Sequence, residues 1–248
     1  MRVFAEPPNP CHSPANSPSA APYRQTPLRR TLVRVVILVF GTLASTLSHA
    51  AERPIFAPAN VLSNPAADPS WSELFAELSK PSNRYSKFEE RRYFPFREKP
   101  VLLKGEIRIA PKRGLSLSYS GDKPYVVIID QTGVLMRDER GRERSAPDDS
   151  RARAVISALS HVLRFDLAEL EKQFVVHGMR QGEEWTLGFA PKDPNLANSL
   201  GSIIVQGQQT RLERIEIVKS DEQRIEITLS DSQSDVIFTM DVLQRFFR

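Results

Sequence analysis

Few side chains in this sequence have the type and spacing to do chemistry. Histidines stand at positions 12, 49, 161 and 177, and the only cysteine is Cys11. His12, His49 and Cys11 lie in an N-terminal segment that reads as removable, which leaves His161 and His177. Two imidazoles without thiols make a poor zinc site. Ser160 precedes His161, but neighbours on a helix point about 100° apart, so the two do not form a nucleophile and its base. Asp148-Asp149 has the composition of an acid pair. With Ser150 after it and a periodic apolar run beyond, it reads as a helix start. Arg91-Arg92 and Lys112-Arg113 read as solvated faces of strands rather than a nucleic-acid patch. There is no G-x-S-x-G, P-loop, G-x-G-x-x-G or H-E-x-x-H. The expectation is a protein that is not an enzyme and uses no cofactor or metal.

The elements that must position these residues begin after about residue 50. Residues 1–27 hold seven prolines among Ser, Ala and Asn, too little apolar surface to repay the entropy of folding. Arg29, Arg30 and Arg34 then precede an apolar run from Val35 to Leu47, and Ser48-His49-Ala50 ends it with small residues. Charged start, short apolar middle and small-residue exit make a cleaved secretory signal peptide. The run falls short of the roughly 20 residues of a membrane-spanning helix. The expectation is export to the periplasm.

Removing that segment changes the charge. The full 248 residues carry 34 basic and 30 acidic side chains, a net +4. Residues 1–50 hold five arginines and one acid, leaving 29 of each sign among the 198 residues that follow. The remainder is neutral and cysteine-free. The argument for a polyanionic partner disappears with the basic segment, and the oxidising periplasm poses no redox problem.

Residues 51–67, rich in Pro, Ala and Asn, read as a linker or an ordered arm. Asp68-Pro69-Ser70 predicts a helix start, with Trp71, Leu74, Phe75 and Leu78 at helical spacing and Lys80-Pro81 as the stop. From Tyr85 the period becomes two. Phe88, Phe94 and Phe96 share one parity, and Leu103, Ile107 and Ile109 alternate with charges at 104, 106 and 108. Leu115–Leu117 and Val134–Arg137 read as further strands around Gly-containing turns, and Tyr125–Asp130 between them reads as a fully apolar strand. A helix is predicted from about Asp148 to Leu163 with Val155, Ile156, Leu159 and Val162 as its stripe, and a short one near 166–172. Strands follow at Phe174–Met179, Glu184–Ala190, Ser202–Gln206, Leu212–Lys219, Arg224–Ser230 and Val236–Val242, broken by a helical piece at Pro194–Leu200. The expected fold is mostly β (α+β): a curled antiparallel sheet of about ten strands whose apolar inner face is covered by helices. Whether that face encloses a pocket or a filled core stays open at this stage.

The order of the motifs resembles the LolA-like family, periplasmic carriers of outer-membrane lipoproteins. A helix is followed by Phe88-Glu89-Glu90, then by Gly105-Glu106-Ile107 leading to Pro111-Lys112-Arg113. Trp185-Thr186-Leu187-Gly188-Phe189-Ala190-Pro191 is similar to the family's W-x-L-x-L-x-P strand. Ile203-Ile204-Val205 and Arg211–Ile217 are similar to its later strands. The resemblance covers about residues 68–242, and the domain assigned to it is 68–248. It implies an unclosed β-barrel of about eleven strands with a helical lid over an acyl-binding cavity. Such carriers have an arginine before the strand-end proline that helps latch the lid. Here that position is Ala110.

Alternation and resemblance together nominate cavity residues. These are Ile107 and Ile109, then Leu117 and Ile128, then Trp185, Leu187 and Phe189, and finally Ile215, Ile227 and Phe238. Val155, Ile156 and Leu159 are nominated for the lid. The expected cargo is an acylated lipoprotein or other lipid-linked molecule, with an inner-membrane exporter and an outer-membrane receptor as implied partners. No nucleic acid is expected, and the chain is read as a monomer. The alternatives are a sheet-based interaction or assembly module with a filled core, an outer-membrane-associated β-barrel suggested by the strands and Phe246-Phe247, and a hydrolase without a recognisable motif.

Overall fold

The period-two segments form one antiparallel sheet. The computed structural model describes residues 53–145 and 150–248. The proposed targeting segment and the acids Asp148 and Asp149 lie outside the described residues. The strands are β1 (Arg84–Arg92), β2 (Val101–Ala110), β3 (Gly114–Tyr119), β4 (Tyr125–Asp130), β5 (Gly133–Asp138), β6 (Glu143–Ser145), β7 (Phe174–Gln181), β8 (Glu184–Pro191), β9 (Ser202–Gln208), β10 (Arg211–Val218) and β11 (Arg224–Ser234). Their order across the sheet is β6-β5-β4-β3-β2-β1-β11-β10-β9-β8-β7. Short turns make neighbours in sequence neighbours in space. The exception is β1 against β11, where Phe88 lies opposite Leu229 and joins the two meanders. β6 and β7 do not pair, so the sheet is unclosed. A membrane-spanning barrel needs closure to satisfy its edges, which this sheet lacks. Among the described residues no helix is long and apolar enough to cross a membrane.

Among the described residues five α-helices accompany the sheet: α1 (Ser72–Leu78), α2 (Ser150–Arg164), α3 (Leu167–Gln173), α4 (Pro194–Leu200) and α5 (Met240–Phe246). α1 buries Leu74, Phe75 and Leu78 together with Trp71 on the inner face. Trp71 lies against Gly178 of β7, where an added Cβ would sit 2.5 Å from the indole. Gly105 of β2 similarly leaves space for the Phe88 ring, which a Cβ would approach to 2.9 Å. α2 lies across both halves of the face. Val155 and Val162 pack with the β7–β10 side, Ile156 with the β1–β5 side, and Leu163 with both. α2 ends at Phe165, a buried non-glycine residue at φ 51°, whose ring meets Trp185 edge-on at 6.2 Å. A left-handed residue costs of order 1–3 kcal/mol, and burial of the phenyl, about 1.5–3 kcal/mol, offsets it.

Several sequence expectations are corrected. The first regular helix begins at Ser72 rather than at Asp68; the turn before it is closed by Asp68, whose side chain accepts from Ser70 N at 2.8 Å and whose carbonyl accepts from Ser72 N at 2.8 Å. Phe94 and Phe96 lie beyond β1, and Phe96 is 77% exposed. A three-residue strand, β6, adds to the ten expected. Val236–Val242 is not a strand: Thr239 caps α5 by accepting from Val242 N at 3.4 Å, with Asp241 in the first turn. Residues 53–67 are an ordered arm containing two 3-10 turns, Pro54–Phe56 and Pro58–Asn60. Ile55 packs with Ile204 and Val218 on the outer face.

α5 and the residues after it cover the outer face of β2–β5. Arg137 donates to the carbonyls of Gln244 (3.1 Å) and Arg245 (2.7 Å), satisfying the end of the helix. Arg248 donates to both oxygens of Asp130 at 2.7 and 2.9 Å. The guanidinium of Arg108 lies 3.8 Å from the centroid of the Phe246 ring. Phe247 is buried.

Candidate binding site

The inner face is not uniform. Over β7–β10 it is filled. Trp185, Leu187, Phe189 and Ile215 are buried and packed with α1, α2 and the Phe165–Phe174 segment in one cluster. Over β1, β2, β11 and the start of β10 the filling is incomplete. One cavity of about 600 Å³ lies between Phe75 and Ala76 of α1, Ile109 of β2, and Leu163 to Leu167 at the end of α2. A second, of about 370 Å³, continues along Arg84, Ser86, Ile107, Ile109 and Leu229 to Leu212. Lys80, Ser82, Arg84, Ile109 and Leu163 line both. Each cavity is within the roughly 300–1,000 Å³ range of small-molecule sites.

The nominated residues therefore divide. Ile107 and Ile109 line cavities. Leu117 and Ile227 are half-buried on the same face, packed against the β1–β5 cluster. Trp185, Leu187, Phe189 and Ile215 share the face but sit in the packed half. Val155 is buried beneath α2, while Ile156 and Leu159 are half-buried. Two placements are corrected. Ile128 lies on the outer face, opposite Ser116 and Leu135, because both parities of β4 are apolar and α5 covers the second one. Phe238 is off the sheet, 6.0 Å from the Phe247 ring.

Arg92 is another correction. Arg91 is exposed, but Arg92 (6% exposed) and Glu90 (2%) are buried on the inner face. Arg92 donates through Nε to Glu90, and Tyr119 Oη donates to Glu90 Oε2 at 2.8 Å. Burial opposes the Arg92 charge, and the adjacent carboxylate more than offsets this, so the guanidinium is held above its ordinary range. Burial, then Glu90, pushes the Tyr119 phenol well above its usual value. The ring of Tyr125 stacks on Tyr119 at 4.7 Å.

Arg84, at the start of β1, carries no motif that singles it out in sequence. Its Nη2 donates to the carbonyls of Leu78 and Lys80, the latter at 3.1 Å. It thereby ties the end of α1 to the sheet. Burial lowers its pKa, against the pull of Asp235. Ala110, at the latch position of the resemblance, is buried and offers no such donor. The two histidines are not brought together. His161 lies near the end of α2, its Nδ1 3.4 Å from Asp166. His177 is buried on the outer parity of β7, its ring edge-on to Phe56 of the arm at 5.3 Å. Burial lowers the His177 pKa.

The model of the family "Outer membrane lipoprotein carrier protein LolA-like" matches residues 63–246. Among solved structures, the chain is similar to a domain from Vibrio parahaemolyticus ascribed to outer membrane lipoprotein sorting. The identity is 8% over 70% of this chain and 94% of that one, with a TM-score of 0.41. It is similar to LprF from Mycobacterium bovis at 11% identity, over 70% of this chain and 96% of that one, with a TM-score of 0.37. It is also similar to a LolA superfamily protein from Nitrosomonas europaea at 9% identity, over 69% and 96%, with a TM-score of 0.26. No curated protein matches the chain. The family match spans well over half of the sequence and coincides with the sheet and its helices, so the chain belongs to the LolA-like family of outer membrane lipoprotein carrier proteins.

Proposed function

We propose that this protein is a periplasmic carrier that holds acyl chains of a lipoprotein or other lipid-linked cargo between the sheet and helices α1 and α2, and ferries it towards the outer membrane. It binds without catalysis. The observation that carries this reading is the pair of adjoining cavities on an otherwise packed apolar face, sharing Ile109 and Leu163. Each methylene moved from water into such a space contributes about 0.8 kcal/mol. α2 is the element that would shift to admit a larger cargo, since its half-buried Ile156 and Leu163 pack against the less tightly filled side. Loading and release are then a change in the population of its open state. An inner-membrane exporter and an outer-membrane receptor are partners that the family alone suggests.

The test is native mass spectrometry and lipid extraction of the chain purified from the periplasm without detergent. The expected result is an acyl-bearing ligand retained by the protein. Protein mass alone, together with no uptake of a fluorescent acyl probe, would contradict the reading. The packed half over β7–β10 favours a second reading, a sheet-based interaction module whose core is filled, and that same pair of negative results would support it.

A further inference from the structure

The rim shared by the two cavities carries positive charge that the described residues leave uncommitted. Lys80 is engaged by both oxygens of Glu77. Arg84 is different. Its Nη2 is held by two neutral carbonyls and its Nε lies 3.4 Å from Ser82 Oγ, while Nη1 has no hydrogen-bond partner among the described residues. Arg164, at the end of α2, donates through Nε to the Ser160 carbonyl at 3.3 Å. Neither guanidinium forms an ion pair among the described residues. The acids nearby are Asp166, which caps α3 and lies beside His161, and Asp235, which is exposed. With Lys80 paired to Glu77, the larger cavity thus has Arg84 and Arg164 without an ion-pair partner on its lining, against the single carboxylate of Asp166. The apolar walls of Ile107, Ile109 and Leu163 begin directly below.

A guanidinium holding carbonyls makes ordinary hydrogen bonds. With a carboxylate or phosphate it makes charge-assisted, often bidentate ones, roughly twice as strong. We propose that this rim receives the anionic head group, carboxylate or phosphate, of a single-chain amphiphile whose acyl chain lies in the two cavities. Arg84 is the principal receptor, and it exchanges the Leu78 and Lys80 carbonyls for the head group. Head-group binding therefore releases the end of α1 from β1 and couples ligand entry to loosening of that helix. The proposal rests on the acyl-binding reading above and deepens it by naming the ligand class.

The experiment titrates the full chain with laurate, monododecyl phosphate and 1-monolaurin, each displacing a fluorescent acyl probe below its critical micelle concentration. The expected result is that at least one anion binds about tenfold or more tightly than neutral monolaurin at low salt. The tighter anion identifies the head group. The preference shrinks as ionic strength rises, because the rim is partly exposed. In Arg84→Gln the ratio of anion to monolaurin affinity falls to about one, and thermal unfolding confirms that the variant is folded. Monolaurin binding as tightly as both anions in the unaltered chain would overturn the head-group proposal and leave acyl binding standing. Displacement of the probe by none of the three would instead contradict acyl binding itself. The comparison in the unaltered chain decides the matter even where the variant does not fold.

Discussion

Glu90 and Arg92 place a charged pair on the inner face of β1, at positions where Phe88 has set an apolar parity. Two buried charges are tolerated because each is met by the other and by Tyr119. Removing one partner leaves the other stranded. Glu90→Ala is expected to lower unfolding stability by about 3–5 kcal/mol, read from urea midpoints. Replacing both residues with leucine is expected to restore most of the loss. Equal losses in the single and double variants would contradict the pairing. The pair was not legible in the sequence, where Arg91-Arg92 has the look of a solvated basic dipeptide. Alternation assigns Arg92 to the inner parity, but only the Tyr119 hydroxyl from β3 makes that parity habitable for charge, and this neighbour is distant in sequence. Arg84 was hidden for the same reason: its acceptors are carbonyls, which side-chain patterns do not report.

Helices α2 and α5 differ in how far their sequences disclose them. α2 carries a stripe at helical spacing, and Val155 and Val162 are buried as that stripe requires. α5 is only seven residues long, and Val236, Phe238 and Met240 mimic strand alternation around its start. What decides its state is the outer face it covers, where Arg137 meets its end, Arg108 meets the Phe246 ring, and Arg248 just after it is anchored to Asp130 of β4. That cover also explains Ile128. β4 is apolar on both parities, so alternation cannot say which side faces the cavity. Phe247→Ala is expected to cost about 3–5 kcal/mol, measured by thermal or urea unfolding. A loss under about 0.5 kcal/mol, the size of a surface change, would mean that the segment ending in Phe247 does not seal this face.

At the scale of the whole molecule, the strand sequence, the short turns and the motif order were enough to foresee an unclosed antiparallel sheet with helices on its inner face. They were not enough to locate empty space. Trp185, Leu187 and Phe189 have the same alternation as Ile107 and Ile109, yet the first three are packed and the last two line cavities. The difference lies in which helix side chains reach each half, a property of packing that one strand's pattern does not contain. The account's central claim is that the Ile109 cavities are the acyl site. The most direct measurement is the affinity of a fluorescent acyl probe for Ile109→Trp, which puts an indole into both cavities, compared with the unaltered chain at matched urea midpoints. The account predicts binding weakened by about tenfold or more, roughly 1.4 kcal/mol, in a protein that remains folded. Undiminished probe affinity in a folded Ile109→Trp variant would contradict it.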